Sequence, residues 1–373
     1  MEKLRIAAYV QMNALVNPTG LGKHILNMAK ALQAMDQVDL RFLAARDRCF
    51  PGEATPEMLA EPGRAFTVLP HSRKLLEMSW LFTGWPSADR WAGDADWIYS
   101  PTEVLVPSRR CRLAATSHHL EWLETDLPWS NRPDMKRARL KWRYRLGRIF
   151  RRASVILVVS EYLRQRAVEL FDLAPASVFA VGNGVEQQYY DIGDQPRTPG
   201  RRPYLLVIGG LLERKGAPII LEAARILSER NVDLQIWVAG TGEERFRALA
   251  EGYPNIKCLG YPGLDILPRL LRDAAALAFP SRYEGFGIPA AEAMAAGTPP
   301  IVSHWTALPE VVADGGVILK EDSAEALVEA AVRLASDEDY RAGLAAKGRA
   351  RATAFKWEAC AIRLVRALQA TPA

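Results

Sequence analysis

The alternation of apolar and polar positions in the first half of the chain predicts strands and helices that follow one another. Runs rich in β-branched and aromatic residues predict strands at 4–10, 38–44, 96–101, 113–119 and 154–160. Apolar residues recur every three or four positions over 24–35, which predicts an amphipathic helix, and Ser160 is the expected N-cap of a later one. A glycine-bearing loop, 17–22, separates the first strand from the first helix. Strand, glycine loop and helix in this order are typical of an α/β unit.

A stretch rich in Pro and Gly at 191–203 interrupts this pattern and is predicted to be a linker. Beyond it, almost wholly apolar runs such as 204–210 alternate with helical segments, as in a parallel sheet covered on both faces. The chain is therefore predicted to be an α/β protein with two Rossmann-like, doubly wound domains, 1–190 and 204–355, facing one another across a cleft. Because ligands of such sheets bind beyond the carboxyl ends of the strands, the cleft is the predicted site.

Composition narrows the class of protein. With 373 residues, 49% apolar and 24% charged, the chain fits an ordinary globular protein and excludes disordered, collagen-like and coiled-coil classes. No apolar run approaches the roughly 18 residues of a membrane-spanning helix, and the first residues lack a secretory signal pattern. The four cysteines form no CxxC pair, so neither a zinc site nor a disulfide framework is expected. These features favour a cytoplasmic protein.

Positive charge is concentrated in the first half. Residues 1–190 hold 26 Lys and Arg against 20 Asp and Glu, and ten of these cations lie between Arg132 and Arg152. Apolar residues recur within this segment at helical spacing, which predicts a helix with one basic face. Two interpretations stay open. The helix is either a core helix with a charged solvent face, or a surface attracted to anionic lipid at the inner face of the cytoplasmic membrane.

The segment 281–300 carries the strongest signal for a binding site. Glu284 lies in a glycine-bracketed loop after an apolar strand, and Glu292 follows eight positions later inside a predicted helix. Gly285 and Gly287 would let a polar ligand approach the backbone, whose N–H groups at a helix start favour an anion. A carboxylate beside such a loop can accept hydrogen bonds from sugar hydroxyls. The alternative is a glycine turn followed by a helix with a solvated Glu.

Two further candidates follow strands. Gly209 and Gly210, followed by Arg214 and Lys215, would form a place for a diphosphate with cations to neutralise it; otherwise the pair belongs to a solvated surface turn. His118 ends a strand of the first domain, where it would hold or polarise a hydroxyl or phosphate unless it is structural.

Five segments of the chain carry a resemblance to a known family. These segments are EGFGIPAAEAMAAGTPPIV, IGGLLERKG, VGNGVEQQYY, VSEY and ALPEVVADGG. Together they resemble retaining glycosyltransferases of family four, which have the GT-B fold. The resemblance is specific over 154–357; before that it depends on the loop of Gly20 and Gly22 and on His118. It also implies that the C-terminal helix, 356–373, crosses back onto the first domain.

The resemblance implies a role for each motif. His118 and Glu284 would lie by the transferred sugar, Glu292 by the nucleotide ribose, and Lys215 by the diphosphate. The remaining donor-binding positions would be Gly20, Gly22, Gly209, Gly210, Arg214, Gly285, Phe286, Gly287, Ile288 and Leu308. The family commonly has Arg where this chain has Gly210, and Asp where it has His119; Arg214 is a candidate to replace the missing cation.

The implied function is a metal-independent, retaining hexosyltransferase of polysaccharide or lipopolysaccharide assembly. Its donor would be a nucleotide-diphosphate sugar, with GDP-mannose placed first and a UDP-hexose as the alternative; its acceptor would be a glycan or a lipid-linked sugar. No cofactor or metal is expected. A nucleotide-sugar epimerase, a phosphorylase and a basic nucleic-acid-binding protein are the rival classes, the last without any recognised nucleic-acid module.

Overall fold

The computed structural model describes residues 3–11, 20–46 and 66–371. These residues form two compact units. The first contains the described residues up to Gly184 together with those from Trp357 onward, and the second is Val185–Lys356. Each unit is built around its own parallel sheet.

The first unit has a seven-stranded sheet in the order β3-β2-β1-β4-β5-β6-β7, and every neighbouring pair is parallel. Its strands are β1 Leu4–Tyr9, β2 Val38–Ala45, β3 Phe66–Leu69, β4 Trp97–Ser100, β5 Arg112–Ser117, β6 Val155–Val158 and β7 Val178–Ala180. Its helices are α1 Gly20–Gln33, α2 Arg73–Phe82, α3 Pro133–Phe150 and α4 Glu161–Phe171, and the last helix of the chain, α13 Trp357–Ala370, returns to it.

The second unit has a six-stranded parallel sheet in the order β10-β9-β8-β11-β12-β13. Its strands are β8 Tyr204–Ile208, β9 Gln235–Ala239, β10 Ile256–Gly260, β11 Ala276–Phe279, β12 Pro300–Val302 and β13 Val317–Ile318. Its helices are α5 Gln187–Gly193, α6 Ala217–Glu229, α7 Glu244–Ala250, α8 Leu267–Asp273, α9 Ile288–Ala295, α10 Leu308–Val312, α11 Ala324–Ser336 and α12 Glu338–Ala352.

Burial explains why these segments form parallel sheets. The four residues of β11 and the four of β6 are fully buried, as strands covered by helices on both faces must be. The expectation of two doubly wound α/β domains is therefore confirmed. In each sheet the strand order reverses beside the first strand, between β1 and β4 and between β8 and β11. The loops that leave the carboxyl ends of strands at such a reversal form a crevice suited to ligands.

The prediction of a loop at Gly20 and Gly22 is wrong. Both glycines lie in the first turn of α1, which begins four residues earlier than the apolar spacing indicated, and Gly22 is buried. The rest of the predicted loop, 17–19, lies outside the described residues. Ser160 caps α4 as expected, since its hydroxyl accepts the backbone N–H of Leu163 at 3.1 Å.

The observed division between the units falls earlier than the predicted linker at 191–203. The second unit already begins at Val185, because α5 packs against α8 and α9 of that unit. The C-terminal helix α13 packs against α1 and has Cys360, Ala361 and Leu364 fully buried. Among the described residues, no helix combines the length and the apolar composition needed to cross a membrane.

Candidate active site

The reversal of strand order in the second sheet brings two loops together. The loop after β8 runs from Gly209 to Gly216, and the loop after β11 runs over 280–287. Arg214 joins them, since its backbone carbonyl accepts the N–H of Arg282 at 2.9 Å and its guanidinium donates to the carbonyl of Tyr283 at 2.8 Å. The two strongest motifs of the second half therefore form one site.

Lys215 and Glu284 form an ion pair at this junction. The Lys215 ammonium lies 2.5 Å from Oε1 of Glu284, and each side chain keeps only 12% of its surface exposed. The same oxygen accepts the Ser281 hydroxyl at 2.8 Å and lies 3.4 Å from a guanidinium nitrogen of Arg214. This arrangement contradicts the alternative of a solvated surface turn for Arg214 and Lys215. Ser281 lies in the segment 281–300, but the sequence alone assigned it no role.

The surroundings of Glu284 determine its charge. Burial opposes ionisation, but the Lys215 and Arg214 cations, with the hydrogen bonds from Lys215 and Ser281, hold the pKa of Glu284 below its usual value. The carboxylate is therefore ionised at neutral pH and can only accept hydrogen bonds. Its contacts with the described residues all use Oε1, so Oε2 can accept the hydroxyl of a ligand.

The two glycines after β8 allow the backbone to approach a neighbouring loop closely. Gly210 has φ +75°, and a Cβ there would lie 2.6 Å from the backbone carbonyl carbon of Thr241. The backbone N–H groups of Gly209 and Gly210 both donate to the carbonyl of Ala239. The position where the family commonly has Arg therefore has no room for a side chain, and the side chain of Lys215 lies beside the adjacent Gly209.

A second glycine shapes the start of α9. Gly287 has φ +101°, and a Cβ there would lie 2.6 Å from a methyl carbon of Leu308, which is fully buried. Phe286 is also buried and packs edge-on against Phe355, with ring centroids 5.3 Å apart. Among the described residues, the backbone N–H groups of Gly285 to Ile288 donate no hydrogen bond to the backbone of another segment. These donors are therefore available to an anionic or polar ligand at the amino end of α9.

Glu292 lies inside α9 and is 3% exposed, so it is not the solvated glutamate of the alternative interpretation. Its neighbour is Tyr189 of α5, whose pKa is raised by burial first and then by the negative charges of Glu292 and Glu186. Tyr189 thus stays a neutral phenol beside the Glu292 carboxylate. Sequence reasoning quoted Tyr189 within a motif but missed this contact, because only the packing of α5 on α9 produces it.

In the first unit, His118 lies immediately after β5. Its Nε2 is 2.8 Å from the carbonyl oxygen of Pro101, and its backbone N–H donates to the Glu103 carboxylate at 2.7 Å. Because a carbonyl oxygen only accepts, Nε2 carries a proton, and in the neutral ring Nδ1 is left as a hydrogen-bond acceptor. Burial opposes ionisation of Glu103, but the electrostatic influence of His118 and His119, with the hydrogen bond from the backbone N–H of His118, holds the pKa of Glu103 below its usual value.

Sequence reasoning missed His24, which looked like one polar position in a helical pattern. It is fully buried on α1, and its ring meets that of His118 edge-on with centroids 4.6 Å apart. Its Nδ1 lies 2.6 Å from Oδ1 of Asn183, and its Nε2 lies 3.3 Å from the Tyr99 hydroxyl. Burial, reinforced by His118, lowers the pKa of His24 to about 3, although Asn183 opposes this. His24 is therefore a neutral support for His118.

His119 points into an aromatic cluster. Its ring lies 4.5 Å from that of Trp122, which stacks on Trp142 of α3 at 4.3 Å with the planes 3° apart. Arg145 of the same helix lies over Trp142 and donates to the carbonyl of Glu103 at 2.7 Å. The predicted basic helix is thus confirmed as α3. Within the described part of the chain, no group of three or more His, Cys, Asp or Glu could hold a metal ion.

Two family models together cover most of the chain. The model for Glycosyltransferase Family 4 matches residues 18–189, and the model for Glycosyl transferases group 1 matches residues 191–351. The first thus spans the N-terminal part as far as the start of α5, and the second spans the loops of Lys215 and Glu284 and the helix α9 that holds Glu292.

Individual relatives agree with these models. The chain is 26% identical to the O-antigen chain mannosyltransferase B of Escherichia coli, over 94% of this chain and 95% of the relative. It is also 26% identical to a phosphatidyl-myo-inositol mannosyltransferase of Mycobacterium leprae, over 94% of this chain and 92% of the relative. Its fold is similar to that of sucrose-phosphate synthase from Thermosynechococcus elongatus, with a TM-score of 0.73, 19% identity and 98% coverage of both chains. With two Rossmann-like units and both family models matched in order, the chain belongs to the family four, group 1 glycosyltransferases of the GT-B fold.

Proposed function

We propose that this glycosyltransferase moves a hexose, with retention of configuration and without a metal ion, from a nucleotide-diphosphate sugar to a glycan or lipid-linked sugar in cell-surface polysaccharide assembly. GDP-mannose is the first donor, and a UDP-hexose is the alternative. The mannosyltransferase names of two relatives that match nearly the whole chain support this order. Contact with an anionic membrane through Arg132 to Arg152 is part of the proposal.

The observation that carries the proposal is the junction of Lys215 and Glu284 beside the amino end of α9. An ammonium has three N–H groups, so it can bridge a carboxylate and a phosphate oxygen. Oε2 of Glu284 would accept sugar hydroxyls, while the backbone N–H groups of Gly285 to Ile288 would face the donor. Glu292 would accept hydrogen bonds from the ribose.

The charges at this junction suit the breaking of a sugar–diphosphate bond. The bond from the anomeric carbon to the diphosphate oxygen breaks, and a new bond forms from that carbon to the acceptor oxygen. The acceptor hydroxyl proton passes to an oxygen of the leaving diphosphate, so no enzymatic nucleophile is invoked. Lys215, Arg214 and the amides would stabilise the negative charge that develops on the leaving group. His118, through Nδ1, would hold a hydroxyl of the transferred sugar or acceptor.

Calorimetry and thermal unfolding with GDP, UDP, ADP and their sugars test the donor. One nucleotide sugar should bind and raise the unfolding temperature, because a ligand that binds only the folded state stabilises it by mass action. The anomeric configuration of the product, read by NMR, tests retention, and turnover in excess EDTA tests metal independence. Failure of every nucleotide sugar to bind the folded protein would refute the proposal. Conversion of the donor without any acceptor would indicate an epimerase instead.

A further inference from the structure

The outer face of α2 is apolar where a surface helix is normally polar. Leu76 and Trp80 bury the inner face of this helix. The outer face instead carries large apolar side chains at helical spacing, and Trp85 follows just beyond the helix end. These four residues, here called the apolar stripe, are Leu75, Met78, Phe82 and Trp85, with exposed fractions of 69%, 58%, 57% and 68%. A contiguous exposed apolar surface of this kind marks a site of interaction.

The apolar stripe continues onto the basic helix. Phe82 stacks on Tyr144 of α3, with ring centroids 5.9 Å apart and planes inclined by 27°. Arg148, one turn further along α3, donates to the backbone carbonyl of Phe82 at 3.4 Å. Leu140, one turn before Tyr144, is 74% exposed. The two helices therefore share one surface, and its apolar part runs from α2 across to α3.

Exposed cations lie around this surface. The side chains of Lys136, Arg137, Lys141, Arg143 and Arg151 are exposed and form no ion pair or hydrogen bond with any residue that the structure describes. Arg137 and Lys141 share a helix face with Leu140 and Tyr144, since residues three and four apart are neighbours. Apolar side chains rimmed by cations are the composition that binds the interface of an anionic bilayer.

We propose that the apolar stripe and the cations of α3 form a single docking surface for an anionic lipid bilayer. The stripe would insert between headgroups while Arg137, Lys141 and their neighbours meet lipid phosphates. The inference rests on the proposed function, which includes a lipid-linked acceptor as one choice and contact with an anionic membrane. It extends that function by assigning the apolar part of the membrane contact to α2, which lies outside the segment Arg132 to Arg152.

Charge complementarity favours the bilayer over a second copy of the chain. A symmetric dimer through this face would bring the same cations of two protomers together, because a two-fold interface uses one patch twice. A nucleic acid would neutralise the cations but would leave the apolar stripe in water. Only the bilayer interface offers phosphates and an apolar interior within the depth of one helix.

Flotation of the full chain with vesicles tests the proposal. The protein should float with phosphatidylcholine vesicles that contain phosphatidylglycerol, and much less with phosphatidylcholine alone. The variant Leu75→Ser/Met78→Ser/Phe82→Ser should lower the partition coefficient about tenfold at both low and high salt, because apolar insertion is not screened. Arg137→Glu/Lys141→Glu should lower it by at least roughly fivefold per cation, mainly at low salt.

Matched controls lie in the second unit. Leu249→Ser/Leu264→Ser/Ile266→Ser removes three side chains of similar exposure, 58%, 50% and 50%, and should leave flotation unchanged. Arg230→Glu/Lys320→Glu makes the same change in net charge at exposed positions and should have little effect on flotation. Quenching of tryptophan fluorescence by brominated acyl chains gives a second measurement: Trp85→Phe should remove most of it, whereas Trp237→Phe should not.

Several outcomes would overturn the proposal. The wild-type chain would fail to float with anionic vesicles at low salt, or the stripe variant would float like its control. A dimer that dissociates on Phe82→Ser would also overturn it. Tighter binding to RNA than to vesicles would do the same. Calorimetry with the nucleotide sugar keeps the two proposals apart. The stripe variant should bind donor as the wild type does, and a wild type that binds vesicles but no donor would refute only the proposed function.

Discussion

The two glutamates of the second unit have opposite surroundings although both are well buried. Glu284 faces Lys215, Arg214 and a serine hydroxyl, whereas Glu292 faces the phenol of Tyr189. A carboxylate held by cations is ionised and fixed in position, whereas the neighbour of Glu292 is a neutral phenol. This difference agrees with separate roles for the two residues in holding a donor.

Glu292→Ala should weaken binding of the donor nucleotide about tenfold, since a hydrogen bond to a charged group contributes about 1.5–3 kcal/mol. Titration calorimetry with the nucleotide measures the change, and Glu292→Gln, which keeps the volume, separates charge from packing. Glu329→Ala, an exposed position on α11, is the control and should bind like the wild type. Unchanged nucleotide affinity in folded Glu292→Ala would remove the assigned role.

His118→Ala should reduce turnover about fivefold, because the hydrogen bond that Nδ1 would accept from a sugar or acceptor hydroxyl contributes about 1 kcal/mol, while affinity for the donor nucleotide changes little. Steady-state kinetics and donor titration on the same preparation give the comparison. His71→Ala, at an exposed histidine, is the matched control. Loss of donor affinity in proportion to turnover would contradict the role and would indicate a binding residue.

His24 should make the first unit less stable in acid. Its pKa falls from 6.5 in the unfolded chain to about 3 in the folded one, so the unfolded state binds the proton first as pH falls. Stability is therefore full above pH 6.5 and decreases between pH 6.5 and 3. Between pH 7 and pH 5 the proton uptake of the unfolded chain lowers the free energy of unfolding by about 2 kcal/mol. In His24→Phe the loss of free energy of unfolding over that interval, measured by urea denaturation, should shrink by this amount. An equal loss in both proteins would contradict the prediction.

At the level of elements, glycine loops after strands determine where a ligand can approach. Arg at position 210 would restore the residue common in the family, but the left-handed backbone costs a side chain about 1–3 kcal/mol, and the clash with Thr241 adds to this. We therefore expect Gly210→Arg to lower the unfolding temperature and to weaken donor binding. Gly200→Arg is the control, because Gly200 has φ +71° but nothing within 4 Å of its Cβ position. Tighter donor binding in Gly210→Arg would contradict the prediction.

Element types could be predicted where the local pattern is strong. The strand predicted at 4–10 is observed as Leu4–Tyr9, and the helix after Ser160 begins where its cap indicated. The helix α2 was not predicted, because large apolar residues occur on its exposed face as well as on its buried face. The start of α1 was placed too late, since Gly20 and Gly22 are more typical of loops and only tertiary packing keeps them helical.

At the level of the whole molecule, the first unit is discontinuous in sequence. Apolar periodicity predicts many of the elements but not which sheet each one joins, so the boundary at Val185 could not be read from the Pro-rich stretch that follows. The partners of Glu292 and His118 depend on the same long-range packing. Motif spacing could place Lys215 and Glu284 each after a strand, yet their ion pair follows only from the strand order, which makes β8 and β11 neighbours.

The second unit has adjacent ends, which leads to a final prediction. The N–H of Val185 donates to the carbonyl of Phe355 at 2.8 Å, and Val185 pairs with Lys356 in a β-bridge. A segment whose ends meet closes without a long loop and keeps its own core. We expect the fragment 185–356 to fold alone and to bind the donor nucleotide, as measured by calorimetry.

The complementary truncation should fail in the first unit. A chain that ends at Lys356 lacks α13, whose buried residues pack on α1 and whose Trp357 ring lies 5.7 Å from that of His24. Its first unit should lose cooperative unfolding and protection from proteases, while nucleotide binding persists. A chain that ends at Thr371 keeps α13 and is the control. Loss of nucleotide binding in both the fragment 185–356 and the chain 1–356 would show instead that the donor site needs residues of the first unit.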